Sequence, residues 1–298
     1  MDSSSSSLSA QSSKAHIKVA WSQHLLTRPR GFAMARENGF VLAWDEFCLY
    51  LLDRRGARQA QRQMPAGIAV ACSADDGSAY AVLGGDGKLR WLAPDLSERW
   101  LHSLGSPAVA AALDPLGQYI AVADASGDLR ILDRHGRSIS KTRTPRPLRH
   151  VAFLPAAPFI IGCADYGLAA CFDCLGRCIW RDGLVAHVGS LAVDSDGDQI
   201  VLACFSEGIQ LYDGKGKNKG RLHLAEPCRL ASISYDGKWI LTVNLKNRLA
   251  LIDQSGRELL EYRLEKSAIA VAIGPLGNHA VAALSNGHIL GLSLREGE

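Results

Sequence analysis

A turn motif that recurs every forty residues constrains the fold of this chain more than any other feature. In each copy, an apolar residue and an aspartate precede a short, mostly basic turn that contains glycine. The aspartates of the motif are Asp53, Asp133, Asp173, Asp213 and Asp253. One copy is missing at Ala93, where Pro94 and Asp95 keep the character of a turn, and the seventh falls at Ser293. A fixed step of this length is typical of repeat architectures.

Two series of glycines keep the same step and mark further turns. One series consists of Gly77, Gly117, Gly197, Gly237 and Gly277, and the other of Gly87, Gly127, Gly167 and Gly287. Between the turns lie short apolar runs, which in the third repeat are 108–113, 119–123 and 129–132, followed by a polar run at 138–142. Each run is too short for a helix. The pattern predicts an all-β fold, a seven-bladed β-propeller with four antiparallel strands per blade; we name the strands a to d from the centre outward.

The seventh repeat is one strand short. It contains runs at 268–273, 279–284 and 288–292 and then lacks a strand d. A segment at 17–23 that resembles a lone strand precedes the first repeat, and its Trp21 stands at nearly the same repeat position as Trp100 and Trp180. We therefore expect this N-terminal run to close the ring as the outer strand of the seventh blade.

Length and composition fit one domain. Seven repeats of forty residues make 280 of the 298, so we predict a disordered Ser-rich tail at 1–14 and a single propeller at 15–298. The N-terminal stretch has no apolar core of a secretory signal, and the chain has no run of 18 apolar residues. These features predict a cytoplasmic protein that does not bind membranes and keeps its eight cysteines as thiols. We further expect a monomer.

Charge gives no indication of a polyanionic partner. The formal net charge is +3, and the basic residues concentrate on the c–d turns. In a propeller those turns share one face with the a–b turns, which carry many aspartates, including Asp75, Asp114 and Asp194. Mixed signs are typical of an ordinary solvated surface, so we do not expect nucleic acid to bind.

Residues 17–298 resemble the WD-repeat and quinoprotein-like seven-bladed propellers. The apolar–Asp pairs stand where a WD repeat ends strand c with Trp-Asp, and Asp173, Gly176 and Trp180 are spaced as in the docking segment of quinoprotein propellers. The quinone-dependent members usually carry two adjacent cysteines, and no two cysteines are adjacent here. We therefore predict no cofactor. The resemblance also implies that ligands meet the face built by the b–c and d–a loops.

Two further sets of residues have chemical alternatives. One c–d hairpin carries Cys171, Cys174 and Cys178, and no fourth zinc ligand is evident, so we interpret the three cysteines as small apolar residues. The alternative is a redox-sensitive pair of Cys171 and Cys178, which we expect to lie directly opposite each other on the two strands. Trp21, Trp100 and Trp180 share a position on strand d. Because the position repeats, we expect these tryptophans to seal neighbouring blades rather than to stack on a ligand.

Non-repeating polar residues in the b–c and d–a loops are the candidates for partner binding, because specificity requires differences between blades. These candidates are Arg28, Arg30, Asp45, Glu46, Arg149, His150, Asp165, Tyr166, His187, Glu207, Arg229 and Lys246. An unused solvated rim is the alternative interpretation.

The resulting functional hypothesis is a non-catalytic scaffold that binds a protein or peptide at the mouth of the central channel, with no catalytic residue and no metal. The alternative is a lactonase-like or other metal-dependent hydrolase whose site would use His150, Asp165, His187 and Glu207. The second hypothesis requires these four side chains to converge.

Overall fold

A computed structural model describes residues 16–295, and the predicted tail at 1–14 lies outside that range. The described residues form seven four-stranded antiparallel sheets arranged as the blades of a ring, which confirms the predicted propeller. Six blades are formed by consecutive strands in chain order. The seventh has the order β1-β28-β27-β26, where β1 is His16–His24 and β26, β27 and β28 are Ala268–Ile273, His279–Leu284 and His288–Arg295.

The strands of the other six blades have the following bounds. Blade 1 contains β2 (Gly31–Ala35), β3 (Phe40–Trp44), β4 (Cys48–Leu52) and β5 (Arg58–Gln63); blade 2 contains β6 (Ile68–Ser73), β7 (Tyr80–Gly84), β8 (Lys88–Leu92) and β9 (Glu98–Ser103); blade 3 contains β10 (Ala108–Leu113), β11 (Tyr119–Asp124), β12 (Asp128–Asp133) and β13 (Ser138–Arg143). Blade 4 contains β14 (His150–Phe153), β15 (Phe159–Cys163), β16 (Ala169–Asp173) and β17 (Cys178–Asp182); blade 5 contains β18 (Val188–Val193), β19 (Ile200–Cys204), β20 (Gly208–Tyr212) and β21 (Asn218–Leu222); blade 6 contains β22 (Cys228–Ile233), β23 (Trp239–Asn244), β24 (Arg248–Asp253) and β25 (Glu258–Arg263).

The hydrophobic core lies between neighbouring blades. Strand β7 is buried along its whole length because both faces of its blade are covered, and its sequence is correspondingly apolar. The outer strand β5 has only one of its edges paired, and its polar side chains are mostly exposed. The inner strands are therefore held by burial against the neighbouring blades.

The repeated aspartates stabilise the c–d turns. In blade 3, Oδ1 of Asp133 accepts hydrogen bonds from the backbone N–H groups of His135 and Arg137 at 2.8 and 2.9 Å, while Nε of Arg137 donates to Oδ2 at 3.0 Å. Gly136 completes the turn with a positive φ of 77° and donates its N–H to the Asp133 carbonyl. An aspartate recurs because its carboxylate satisfies two amide groups of each turn.

The turn that lacks the motif keeps the same geometry with a different residue. Leu96 stands in the place of the glycine, has a φ of 64° and donates its N–H to the Ala93 carbonyl at 2.9 Å. Asp95 accepts from the N–H of Ser97 at 2.9 Å. The Leu96 side chain is buried in the core between blades 1 and 2, and that burial offsets the left-handed backbone.

The ring is closed as predicted. Strand β1 pairs with β28 in antiparallel register from His16 opposite Arg295 to His24 opposite His288, with a bulge between Val19 and Trp21. The closing strand is one residue longer at each end than the predicted 17–23. Strand β28 also runs beyond the predicted end at 292, because β1 supplies it with hydrogen-bonding partners up to Arg295.

Three tryptophans join neighbouring blades, as the repeat pattern predicts. The indole N–H of Trp21 donates to the Arg54 carbonyl at 3.0 Å, that of Trp100 to the Arg134 carbonyl at 2.7 Å, and that of Trp180 to the Gly214 carbonyl at 2.9 Å. Each acceptor lies in the c–d turn of the next blade. The side chains thus cover apolar surface at the outer edge of the ring and also satisfy a backbone carbonyl.

The predicted cross-strand placement of Cys171 and Cys178 is wrong. A bulge between Cys171 and Phe172 shifts the register, so Cys171 faces Trp180 and Cys178 faces Phe172. Cys171 is buried, Cys178 is exposed, and all eight cysteines are free thiols. Burial raises the pKa of the Cys171 thiol to about 12, which keeps it protonated and unreactive at neutral pH.

Candidate functional site

The face built by the b–c and d–a loops, here called the mouth face, exposes large apolar side chains. They are Leu26, Phe47, Tyr166, Val185 and Leu245, with exposed fractions from 40% for Tyr166 to 78% for Leu26. Every one of them lies in a loop, where no strand packing requires it. Three other exposed apolar side chains, Leu116, Leu175 and Leu276, lie in turns of the opposite face, so the mouth face carries the larger group and is the better candidate surface for binding another molecule.

Ion pairs link the d–a loops to the b–c loops around this face. The pairs are Arg30–Glu46 at 2.9 Å, Arg149–Asp165 at 3.2 Å and Lys246–Glu226 at 2.6 Å. Five of these residues belong to the predicted candidates, whereas Glu226 was missed. Since the side chains remain largely solvent-accessible, the pairs contribute little to stability and keep the rim nearly neutral. Arg28, another candidate, is exposed.

Tyr166 and His187 form an aromatic pair at the mouth. A β-bridge joins the two residues, and their ring centroids are 5.0 Å apart with an interplanar angle of 41°. The N–H of Val188 donates to the Asp165 carbonyl at 2.9 Å and fixes the two loops together. The rings therefore present a fixed, half-polar surface next to exposed Val185.

Asp45 supports its loop and is not available to a partner. The residue is 4% exposed, and its carboxylate accepts hydrogen bonds from the N–H groups of Phe47 and Cys48 at 2.9 and 2.8 Å and from the Tyr50 hydroxyl at 2.9 Å. Burial, together with this hydrogen bond, raises the pKa of Tyr50. Asp45 thus holds exposed Phe47 in position.

His150 is the first residue of inner strand β14, and Arg229 is the second residue of inner strand β22; both lie at the entrance of the channel. Both are half-buried, and burial lowers the pKa of each. The Arg229 guanidinium donates to the carbonyl of Ala268 in the next blade. Its charge has no carboxylate partner among residues 16–295, so it can accept an anionic group from a partner.

The four residues of the hydrolase hypothesis do not form a metal site. Within the described part of the chain, no group of three or more His, Cys, Asp or Glu side chains could hold a metal ion. Glu207 pairs with Arg221 of outer strand β21, Asp165 pairs with Arg149, and His187 packs on the Tyr166 ring. The geometry therefore gives this hypothesis no support.

The opposite end of the channel holds a cluster that the sequence did not predict. Nε and Nη2 of Arg36 donate to the two carboxylate oxygens of Asp75 at 3.1 and 3.0 Å, and the Tyr235 hydroxyl donates to Asp75 at 2.5 Å. The Arg36 guanidinium lies 4.2 Å from the centre of the Tyr235 ring, and its Nη1 donates to the Val193 carbonyl at 3.1 Å. These residues belong to blades 1, 2, 5 and 6, so the side chains of Arg36, Asp75 and Tyr235 meet across the channel.

The cluster occupies positions that other blades fill with non-ionic residues. Asp75 and Tyr235 stand at one position of the a–b turn, which in blades 3, 4, 5 and 7 is Pro115, Pro155, Ser195 and Pro275. Arg36 lies in the a–b turn of blade 1, next to Glu37, whose N–H donates to the Asp75 carbonyl. The a–b turns of three blades depart from the repeat by carrying Arg36, Asp75 and Tyr235, and this departure is the sequence signal that could have revealed the cluster.

Charges on that face are largely matched within the turns. Arg137, Arg177 and Arg257 each pair with the aspartate of their own c–d turn, at 3.0, 2.6 and 3.2 Å. The basic residues noted in the sequence are thus in part counter-charges of the repeated aspartates. This arrangement agrees with the interpretation as an ordinary solvated surface.

No protein-family model matches the chain, and no curated protein matches it. The propeller fold therefore rests on the pairing of its strands. The described residues contain no helix with the length and apolarity needed to cross a bilayer. Membership of the WD-repeat or quinoprotein-like group stays a prediction.

Proposed function

We propose that this chain is a non-catalytic scaffold of the WD-repeat-like propeller type, which binds a protein or peptide partner on its mouth face. The observation that carries the proposal is the set of large apolar side chains exposed in the loops of that face. Leu26 and Phe47 lie at blade 1, whereas Tyr166 and Val185 lie at blades 4 and 5, across the ring. A partner that spans the mouth would contact both groups.

Polar groups around these apolar residues suit a protein partner. The ion pairs form a nearly neutral, solvent-exposed rim, while His150 and Arg229 are half-buried at the centre. Apolar contacts surrounded by a polar rim are characteristic of protein–protein interfaces. As part of the same proposal, the protein is a cytoplasmic monomer that takes no cofactor and binds neither nucleic acid nor membranes.

Site-specific photo-crosslinking in the native cell tests the proposal. A crosslinking amino acid replaces Phe47 or Tyr166 on the mouth face; matched controls replace Leu116 or Leu175, which are exposed on the opposite face. We expect one partner to be captured from both mouth positions and from neither control. Equal capture from all four positions, or from the controls alone, would place the interaction elsewhere.

The charge of the mouth gives a second readout. Arg229→Glu reverses the half-buried charge at the channel entrance, and Arg137→Glu reverses an exposed charge on the opposite face. We expect the first change to abolish capture of the partner and the second to leave it unchanged. Retained capture with Arg229→Glu would remove this residue from the site.

A further inference from the structure

A cavity of about 580 Å³ lies between blades 7 and 1, on the face of the a–b and c–d turns and away from the mouth face. It reaches the hydrophobic core, since Met34 and Val281 in its wall are only 8% and 3% exposed. Val41 and Leu292 also line it. Its volume falls within the range of about 300–1,000 Å³ that is usual for small-molecule sites.

A departure from the repeat shapes one wall of this cavity. Gly291 stands at a position that in blades 1 to 6 is Leu51, Trp91, Ile131, Cys171, Leu211 and Leu251. In blade 2, Trp91 fills the position and stacks on Trp100 with ring centroids 5.3 Å apart, so the corresponding groove of about 480 Å³ ends at these two rings. In blade 7 the Trp21 indole takes the place of that side chain, since Gly291 has no Cβ and the ring packs directly on it.

Trp21 forms one wall of the cavity and is held in place by two glycines. A Cβ at Gly291 would lie 2.1 Å from the Trp21 indole, and a Cβ at Gly56 would lie 2.5 Å from it. Because the ring packs closely on both glycines, little of its flat surface is free for a planar ligand. The rest of the inner wall is aliphatic and suits a flexible acyl chain.

The polar groups of the cavity lie near its outer rim. The Arg54 guanidinium donates to the Asn38 carbonyl at 3.0 Å and, within residues 16–295, forms no ion pair, although Glu37 is also on the rim. Arg36 is already neutralised by Asp75. The charge that remains available to a ligand's anionic end is therefore that of Arg54.

His279 is a further rim residue and is uncharged at neutral pH. Burial, assisted by the positive charge of Arg54, lowers its pKa, and its Nδ1 lies 2.8 Å from Oδ1 of Asn278. A neutral imidazole can serve as a hydrogen-bond partner without adding charge. The rim thus carries one available cation, Arg54, one carboxylate, Glu37, and neutral polar groups above an apolar interior.

We propose that this cavity binds a medium-chain fatty acid, with the acyl chain against Met34, Val41 and Val281 and the carboxylate on Arg54. The aliphatic wall provides apolar burial, and the guanidinium provides a charge-assisted, bidentate hydrogen bond. The site is separate from the mouth face and does not depend on the scaffold function.

Isothermal titration calorimetry with decanoate, below its micelle concentration, tests the assignment. We expect saturable binding of one decanoate per chain and roughly tenfold or weaker affinity in Arg54→Gln, which removes a charge-assisted hydrogen bond. The control Arg134→Gln changes the equivalent arginine of blade 3, whose carbonyl likewise accepts from a tryptophan, and leaves binding unchanged. Unaltered thermal unfolding shows that each variant is folded.

Two further measurements separate the acyl chain from the carboxylate. Ser293→Phe, at a half-buried lining position, fills the cavity and abolishes binding, while decanol binds at least about tenfold more weakly than decanoate. If decanoate does not bind one-to-one to the native chain, or binds Ser293→Phe with full affinity, the proposed fatty-acid site is wrong. Equal affinity for decanol and decanoate overturns the role of Arg54.

Discussion

Removing the charge of Asp75 tests whether the cluster across the channel holds the ring together. Asp75→Asn keeps the shape of the side chain but leaves Arg36, whose side chain is 20% exposed, without a counter-charge. Loss of one partner from a fully buried ion pair costs about 3–5 kcal/mol. Because a fifth of Arg36 reaches solvent, we expect the free energy of unfolding to fall by about 2–4 kcal/mol.

Three related variants show which interaction is responsible. Tyr235→Phe removes one hydrogen bond to the carboxylate and keeps the ring under the guanidinium, so it costs about 1.5–3 kcal/mol. The double change Arg36→Met with Asp75→Leu leaves no unpaired charge and costs less than Asp75→Asn alone. Glu46→Gln breaks an exposed ion pair and costs under about 1 kcal/mol.

Urea unfolding at pH 7, followed by circular dichroism and tryptophan fluorescence, measures these differences. The order of destabilisation should be Asp75→Asn first, then Tyr235→Phe, then Glu46→Gln. A change below about 0.5 kcal/mol for Asp75→Asn would refute the reasoning, because the partly buried charge would then have found another partner or solvent. A double variant less stable than Asp75→Asn would also refute it.

Three other predictions concern ring closure, thiol reactivity and pH. Deleting residues 1–24 removes β1 and should lower the melting temperature sharply, whereas deleting 1–14 should not; equal effects would contradict closure by β1. N-ethylmaleimide should modify exposed Cys178 first, as mass spectrometry and Cys178→Ser can show, and faster labelling of Cys171 would contradict its burial. Burial lowers the pKa of His150, so the unfolded chain takes up the proton first and the stability of the fold decreases as the pH drops below about 6.5. His150→Gln should weaken this pH dependence, which urea unfolding between pH 7.5 and 5.5 measures. An identical pH dependence in the variant would exclude His150 as its source.

The fold was predictable because each repeat uses the same local chemistry. An aspartate such as Asp133 satisfies two amides of its own turn, so the residue recurs wherever the turn recurs. The same holds for Trp21, Trp100 and Trp180, whose indoles reach the next blade. These are contacts at a fixed sequence separation, and such contacts leave a period in the sequence.

The register of the strand pairs was harder to predict from the sequence. The bulge between Cys171 and Phe172 changes which residues face each other, and similar bulges occur in the other c–d pairs, such as that between Ile131 and Leu132. The bulged pairing needs no distinctive residue. A cross-strand contact between Cys171 and Cys178 therefore could not be derived from spacing alone.

The candidate site was predictable in part. The sequence located loop residues such as Tyr166 and Arg149 on the mouth face. It also predicted that Asp45 binds a partner, whereas the structure shows that this residue supports its own loop. Arg36 and Tyr235 were missed because they come close only across the ring, from distant blades. Contacts of that kind have no fixed sequence separation and leave no period.

The pairing of β1 with β28 has a consequence for how the protein is made. Strand β1 leaves the ribosome first among the described strands and β28 leaves it last, so β1 waits for its partner through the synthesis of all six intervening blades. Contacts between distant parts of a chain form slowly, and unpaired strand edges are prone to aggregation. Until β28 emerges, the nascent ring remains open, and its exposed β1 edge is the part most in need of a chaperone.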